Sequence, residues 1–160
     1  MRIEWMEKYM ADAERLIYSN QVEDGLLMLT DLLYDEPGYG SLHNHIGWAY
    51  MYYTADVEKA ERHLKLAIYF DPTFAAPFLH LGNLYVRMGR YAEALSNLKS
   101  GLTKQNANRI AFMESIAHVY ELRRDYSEAI KCTRKRWLLL SALRPPTLQR
   151  ASNDAVRKGG

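Results

Sequence analysis

The stretch Phe78-Leu79-His80-Leu81-Gly82-Asn83-Leu84-Tyr85-Val86-Arg87-Met88-Gly89-Arg90-Tyr91-Ala92-Glu93-Ala94 decides the fold, because its spacing recurs on both sides of it. Tyr50, Tyr85 and Tyr120 stand 35 residues apart. Each closes the same pattern of two large residues, a small one and an aromatic at helical spacing. The three copies are His43-x2-Ile46-Gly47-x2-Tyr50, Phe78-x2-Leu81-Gly82-x2-Tyr85 and Met113-x2-Ile116-Ala117-x2-Tyr120. A second pattern follows each: Ala60-x3-Leu64 up to Pro72, Ala94-x3-Leu98 up to Asn106, and Ala129-x3-Thr133, with an upstream copy at Gly25-x3-Leu29 up to Pro37. Self-similarity at this period marks a solenoid of supersecondary units.

The physical reading needs no family. Each unit makes two amphipathic helices that approach where one carries a small residue, with Gly47, Gly82 and Ala117 facing Ala60, Ala94 and Ala129. One such pair cannot bury its whole apolar face, so units must stack. Gly89 suits a left-handed helix end, Asp125 followed by Glu128 reads as a capping box, and Asp71-Pro72 ends a helix. The spacing predicts helices at about 3–19, 22–35, 41–53, 57–70, 74–88, 91–103, 109–122 and 125–143, with no strand signal.

These residues resemble the tetratricopeptide repeat, whose 34-residue unit carries a large residue, Leu-Gly, Tyr, Ala, Phe and Pro at these offsets. The third unit matches best, with Leu81, Gly82, Tyr85, Gly89, Tyr91 and Ala94 in register, and the first is the weakest, with Asp12 at an apolar position. The 35-residue offsets imply single-residue insertions, one of them in the turn Tyr53-Thr54-Ala55-Asp56. The expected fold is all-α: a superhelical solenoid of about four helix pairs with units near 5–38, 39–73, 74–108 and 109–143. Its last helix is extended. Residues 1–144 form the repeat domain and 145–160 a basic tail that could cap it.

The resemblance also implies a binding face. In this family the second stripe of each first helix lines a concave groove for a peptide or protein partner. That stripe holds Met10, Glu14, Ile17 and Tyr18, then Asn44, Trp48, Met51 and Tyr52, then Leu79, Asn83, Val86 and Arg87, then Glu114, His118 and Glu121. The partner-binding candidates are Asn44, Trp48, Met51, Tyr52, Asn83, Arg87 and His118. Trp48 leads them as a large aromatic at a position the packing stripe does not require. The alternative is that Trp48 fills a neighbouring unit's surface. The basic clamp that some members use for chaperone C-terminal carboxylates is absent: its positions hold Met10, Glu14, His45, Ala76 and His80, or, one unit on, Asn44, Trp48, His80, Ala111 and Ser115.

No catalytic or cofactor signature occurs: there is no nucleophile elbow, phosphate-cradling glycine loop or zinc-type His-Glu-x-x-His. The expectation is a non-enzyme without a cofactor. His43 and His45, two residues apart on a helix, point about 200° from each other and cannot close on one ion, so no metal site is expected. The single Cys132 excludes an internal disulfide. The opening Met1-Arg2-Ile3-Glu4-Trp5-Met6-Glu7-Lys8 lacks the apolar core of a signal peptide, and no run approaches the roughly 18 apolar residues of a span. These readings give a cytoplasmic protein with no membrane partner.

Charge is segregated although the net charge is only +2. Residues 1–36 carry 3 basic and 9 acidic groups, residues 131–160 carry 8 basic and 1 acidic. The basic end has little of the interleaved aromatic and glycine pattern of RNA-binding segments, which argues against nucleic acid. The last helix is apolar nearly all round at Trp137, Leu138, Leu139, Leu140, Ala142 and Leu143, so something should cover it. The leading function is a non-catalytic adaptor or chaperone-like scaffold that binds a protein partner in the groove. The alternative is a self-assembling scaffold, a homo-oligomer in which the acidic start of one copy meets the basic, apolar end of the next.

Overall fold

A computed structural model describes residues 2–143. They form eight helices in antiparallel pairs: α1 (Arg2–Tyr18), α2 (Val22–Asp35), α3 (Gly40–Tyr53), α4 (Val57–Phe70), α5 (Ala76–Arg87), α6 (Tyr91–Leu102), α7 (Arg109–Leu122) and α8 (Tyr126–Ala142). The expected all-helical solenoid of four pairs is what the chain builds. The tail at 145–160, with its capping role, lies outside the described residues.

Each hairpin closes where a glycine lets a leucine or isoleucine seat against backbone. A Cβ on Gly47 would stand 2.7 Å from Leu64 Cγ and 3.1 Å from the Leu64 amide nitrogen. On Gly82 it would stand 2.6 Å from Leu98 Cγ. The glycine therefore receives the leucine one turn beyond the alanine that the sequence pairs with it, while Ala60 and Ala94 are simply buried. In the first pair the device is reversed. Gly25 sits on α2, and its Cβ would meet Ile17 of α1 at 2.5 Å.

The turns inside the hairpins explain the register. Asn20, Gly89 and Arg124 all take positive φ, of 67°, 73° and 60°. After each, the next amide reaches back five residues, from Gln21 to the Leu16 carbonyl at 2.9 Å, Arg90 to Tyr85 at 2.8 Å and Asp125 to Tyr120 at 2.8 Å. With the companion bonds Asn20 to Ile17, Gly89 to Val86 and Arg124 to Glu121, these are Schellman motifs. The second hairpin differs, because α4 starts seven residues after Tyr50, whereas α6 and α8 start six after Tyr85 and Tyr120. The extra residue leaves Thr54 extended, with φ −134° and ψ 173°. Its side chain, rather than a left-handed backbone, closes the turn. Asp125 caps α8 through the Glu128 amide at 3.3 Å, but Glu128 turns to Lys131 at 2.7 Å, so only half of the expected capping box forms.

The odd helices touch one another in succession, α1 with α3, α3 with α5 and α5 with α7, while no even helix touches another even helix among the described residues. The odd helices thus form the inside of the curve and the even ones splay on the outside. Two apolar cores run through the stack. The first gathers Met10, Ala13, Ile17, Leu29, Leu42, Ile46 and Ala49, and the second runs from Met51 through Leu64, Leu81, Leu84 and Leu98 to Phe112, Ile116 and Val119. The boundary passes through α3, where Tyr50 packs against both.

Candidate functional site

The inner stripe of the odd helices carries the side chains expected to bind. Tyr18 at the end of α1 and Trp48 and Tyr53 on α3 form a triangle of edge-to-face rings, with centroids 5.5 Å (Tyr18–Trp48), 5.2 Å (Trp48–Tyr53) and 6.2 Å (Tyr18–Tyr53) apart. Edge-to-face packing sets positive ring edges on negative ring faces. Trp48 is half-buried against the first core, whereas Tyr18 is 66% exposed and offers open aromatic surface. Trp48 therefore does both things that the sequence leaves open: it packs between units and borders the groove.

Beside the rings runs a polar line across three units. Glu14 of α1 meets His45 Nε2 at 2.8 Å, and His45 Nδ1 donates to the Ser41 carbonyl at 2.7 Å. Both ring nitrogens face acceptors, an arrangement that only the doubly protonated ring fills with two hydrogen bonds. His80 of α5 follows. Burial first, and the neighbouring His45 second, push its ring down to about 4, so it stays neutral. Its Nδ1 is buried without a hydrogen-bond partner, and so is Oδ1 of Asn44, a residue only 6% exposed. Two unmet polar atoms on one inner surface are the kind of vacancy that a partner's backbone or amide group fills.

The remaining candidates separate. Met51 is 2% exposed and belongs to the second core, so it contributes packing and no open surface. Tyr52 is exposed and leans edge-on toward His80 at 6.0 Å. Arg87 donates from Nη1 to the Met51 carbonyl at 2.8 Å, capping the end of α3 from α5 and thereby locking two units together. Asn83 is half-buried one turn before it. His118 is exposed on α7, 3.9 Å from Glu121, and lies apart from the aromatic triangle. Glu114 pairs with Arg136 of α8 at 2.7 Å. Asn44, Trp48, Tyr52 and His80 thus share one region with Tyr18, Tyr53, Glu14 and His45. Sequence reasoning left Tyr53, His45 and His80 out of the candidate set. The equal positions of His45 and His80 in successive units were the available signal.

On the opposite side of α3, His43 Nε2 donates to the Pro37 carbonyl at 2.8 Å, which leaves its Nδ1 to accept from His63 at 3.1 Å. Burial and the adjoining His43 push His63 down to about 4. The pair joins α3 to α4 and stays outside the groove. No group of three His, Cys, Asp or Glu side chains converges among the described residues.

Residues 78–110 match the family model of the tetratricopeptide repeat. Among solved structures, a crystal structure of MamA aligns with TM-score 0.72 at 19% identity, over 82% of this chain and 75% of that one. MamA 41-end from Desulfovibrio magneticus RS-1 aligns with TM-score 0.76 at 12% identity, over 87% and 77%. Pseudomonas aeruginosa pilF aligns with TM-score 0.80 at 17% identity, over 86% of this chain and 62% of that one. At these identities the likeness is one of fold. No curated protein matches the chain by sequence.

Proposed function

We propose that this chain, a tetratricopeptide-repeat protein, is a non-catalytic protein-interaction module that holds a peptide or protein segment in the groove of its first three units. The observation that carries this reading is the joint presence of the Tyr18–Trp48–Tyr53 aromatic surface and the unpartnered Asn44 Oδ1 and His80 Nδ1 on the same inner face. Aromatic surface supplies affinity at low entropic cost, and unmet buried polar groups supply orientation. Asn83 and Arg87 extend the site along α5, and His118 extends it to α7. The partner is a segment with apolar side chains for the rings and backbone polar groups for the two unmet atoms. A cytoplasmic adaptor would use such a site without cofactor or metal.

The test is affinity capture of the tagged chain beside Trp48→Ala, Tyr18→Ala and Asn44→Ala, analysed by mass spectrometry. Tyr18 is the control for folding, because its exposed ring can be removed at little cost to the core. A defined protein captured by the parent and lost from both Tyr18→Ala and Trp48→Ala supports the groove. Capture that is equal in all four chains overturns it.

A further inference from the structure

The open end of the solenoid is a separate surface, and its chemistry differs from the groove's. Helix α8 has 17 residues against 14 in α7, so its last turn runs past the start of its partner. Trp137 is 60% exposed and Leu143 72%, with Leu138 and Leu140 also open. Along the same helix, Tyr126, Ile130 and Trp137 line a shallow apolar depression of about 470 Å³ between α7 and α8. This is where a fifth unit would stack. Next to this surface stand Lys131, Arg134, Lys135 and Arg136. Arg136 is engaged with Glu114 and Lys131 with Glu128, while Arg134 and Lys135 have no ionic partner among the described residues.

We propose that this end is a docking surface for an anionic lipid bilayer, with α8 lying in the headgroup layer. Three observations favour lipid over a protein occupant. First, the charge is complementary to a negative surface and to nothing apolar of this chain's own. The remaining residues 144–160 carry Arg144, Arg150, Arg157 and Lys158 against Asp154, so the tail adds to the positive field rather than neutralising it. Second, a copy stacking head-to-tail would bring α1 into the depression. The positions that Leu42, Ile46 and Ala49 fill in α3, and Phe112, Ile116 and Val119 in α7, are Lys8, Asp12 and Arg15 in α1, with Asp12 and Arg15 paired to each other. That face is a polar cap. Third, the exposed apolar residues of the last turns spread around α8 rather than forming one stripe, and a protein groove covers a stripe while acyl chains close around a helix.

The arrangement has the parts of an interfacial anchor: a Trp beside leucines, a flanking basic run and an insertion depth of about 5–10 Å. No described helix is long and apolar enough to cross a membrane, and lying on the surface requires no crossing. The acidic α1–α2 pair at the far end would be repelled by the same surface, which orients the solenoid with its groove free. Three of the four open apolar residues are leucines, which stack on no nucleobase.

Flotation of the full chain with phosphatidylcholine vesicles, with and without phosphatidylglycerol, tests this. The chain should float with the anionic vesicles only, and less as salt rises. Arg134→Gln with Lys135→Gln should weaken binding about twentyfold, and Trp137→Ser with Leu140→Ser should weaken it more than tenfold. All four side chains sit outside the core, so circular dichroism should be unchanged. Absence of flotation with anionic vesicles overturns the proposal. So does a chain that ignores vesicles but shows a concentration-dependent mass lost in Trp137→Ser, which would make the surface an interface between copies. Vesicle binding retained in both double variants also overturns it. The Tyr18→Ala chain, altered only in the groove, should float like the parent, so the two functional readings fail separately.

Discussion

The hydroxyl of Thr54 stands between α3 and α4 as a relay: it donates to the carbonyl of Tyr50 at 2.7 Å and accepts the amide of Asp56 at 3.1 Å. In the other three hairpins an amide reaches the equivalent carbonyl directly. One inserted residue would otherwise leave the Tyr50 carbonyl and the Asp56 amide unmet. Thr54→Val, which keeps shape and removes the hydroxyl, should cost about 1–2 kcal/mol. Thr54→Ser should keep most of that. Urea unfolding with unchanged slope separates the two.

Gly47 and Gly82 should resist the usual gain from placing alanine in a helix. That gain is about 1 kcal/mol. The added methyl group would stand 2.7 Å from Leu64 Cγ at one site and 2.6 Å from Leu98 Cγ at the other. Pushing the helices apart should outweigh the propensity term, giving a net loss of about 1–2 kcal/mol. The loss should be larger at Gly47, where the Leu64 backbone nitrogen at 3.1 Å cannot step aside. Thermal unfolding of Gly47→Ala and Gly82→Ala measures both.

The two positive-φ turns at Gly89 and Arg124 should respond in opposite directions. At Gly89 there is open space around a new Cβ, so Gly89→Ala isolates the backbone cost of a left-handed residue, about 1 kcal/mol. Arg124→Gly removes that cost and should stabilise by about 0.5 kcal/mol after the entropy of the added glycine. A rise in melting temperature for one and a fall for the other is the expected pair of results.

His63 and His80 make the fold acid-sensitive. Both fall from an ordinary histidine value of 6.5 to about 4 in the folded chain, mainly through burial. The unfolded chain therefore binds more protons between those values. Stability is full above pH 6.5 and is lost as pH falls through the window to about 4, by on the order of 2 kcal/mol for each histidine after allowing for partial exposure. His63→Gln should flatten the profile of chemical denaturation midpoint against pH. An unchanged slope would mean that the ring is solvated.

The helices were legible because the period and the breakers say the same thing. Tyr50, Tyr85 and Tyr120 set the register, and Pro37, Pro72 and Gly89 fall where helices stop. The inserted residue near Thr54 could also be counted from the offsets. What the sequence hides is the partner of each side chain. Met51 shares its stripe with Trp48, yet the neighbouring unit covers it completely, because a stripe drawn from one helix ignores what the next helix brings. Arg87 reads as open charge but spends its guanidinium on the Met51 carbonyl. The Glu14–His45 contact joins residues 31 apart in sequence, a distance no local pattern reports.

Because the two apolar cores share only α3, the chain need not come apart all at once. Loss of α1 and α2 would empty the first core while leaving α4 to α7 closed around Leu64, Leu84 and Phe112. The first pair also holds Tyr18 and Glu14, half of the aromatic and polar surface of the groove. Fraying from that end would therefore dismantle the groove before the rest of the fold melts. Native-state hydrogen exchange should find α1 and α2 opening as one unit at lower free energy than α5 to α7, so that occupation of the groove and survival of the first hairpin rise and fall together.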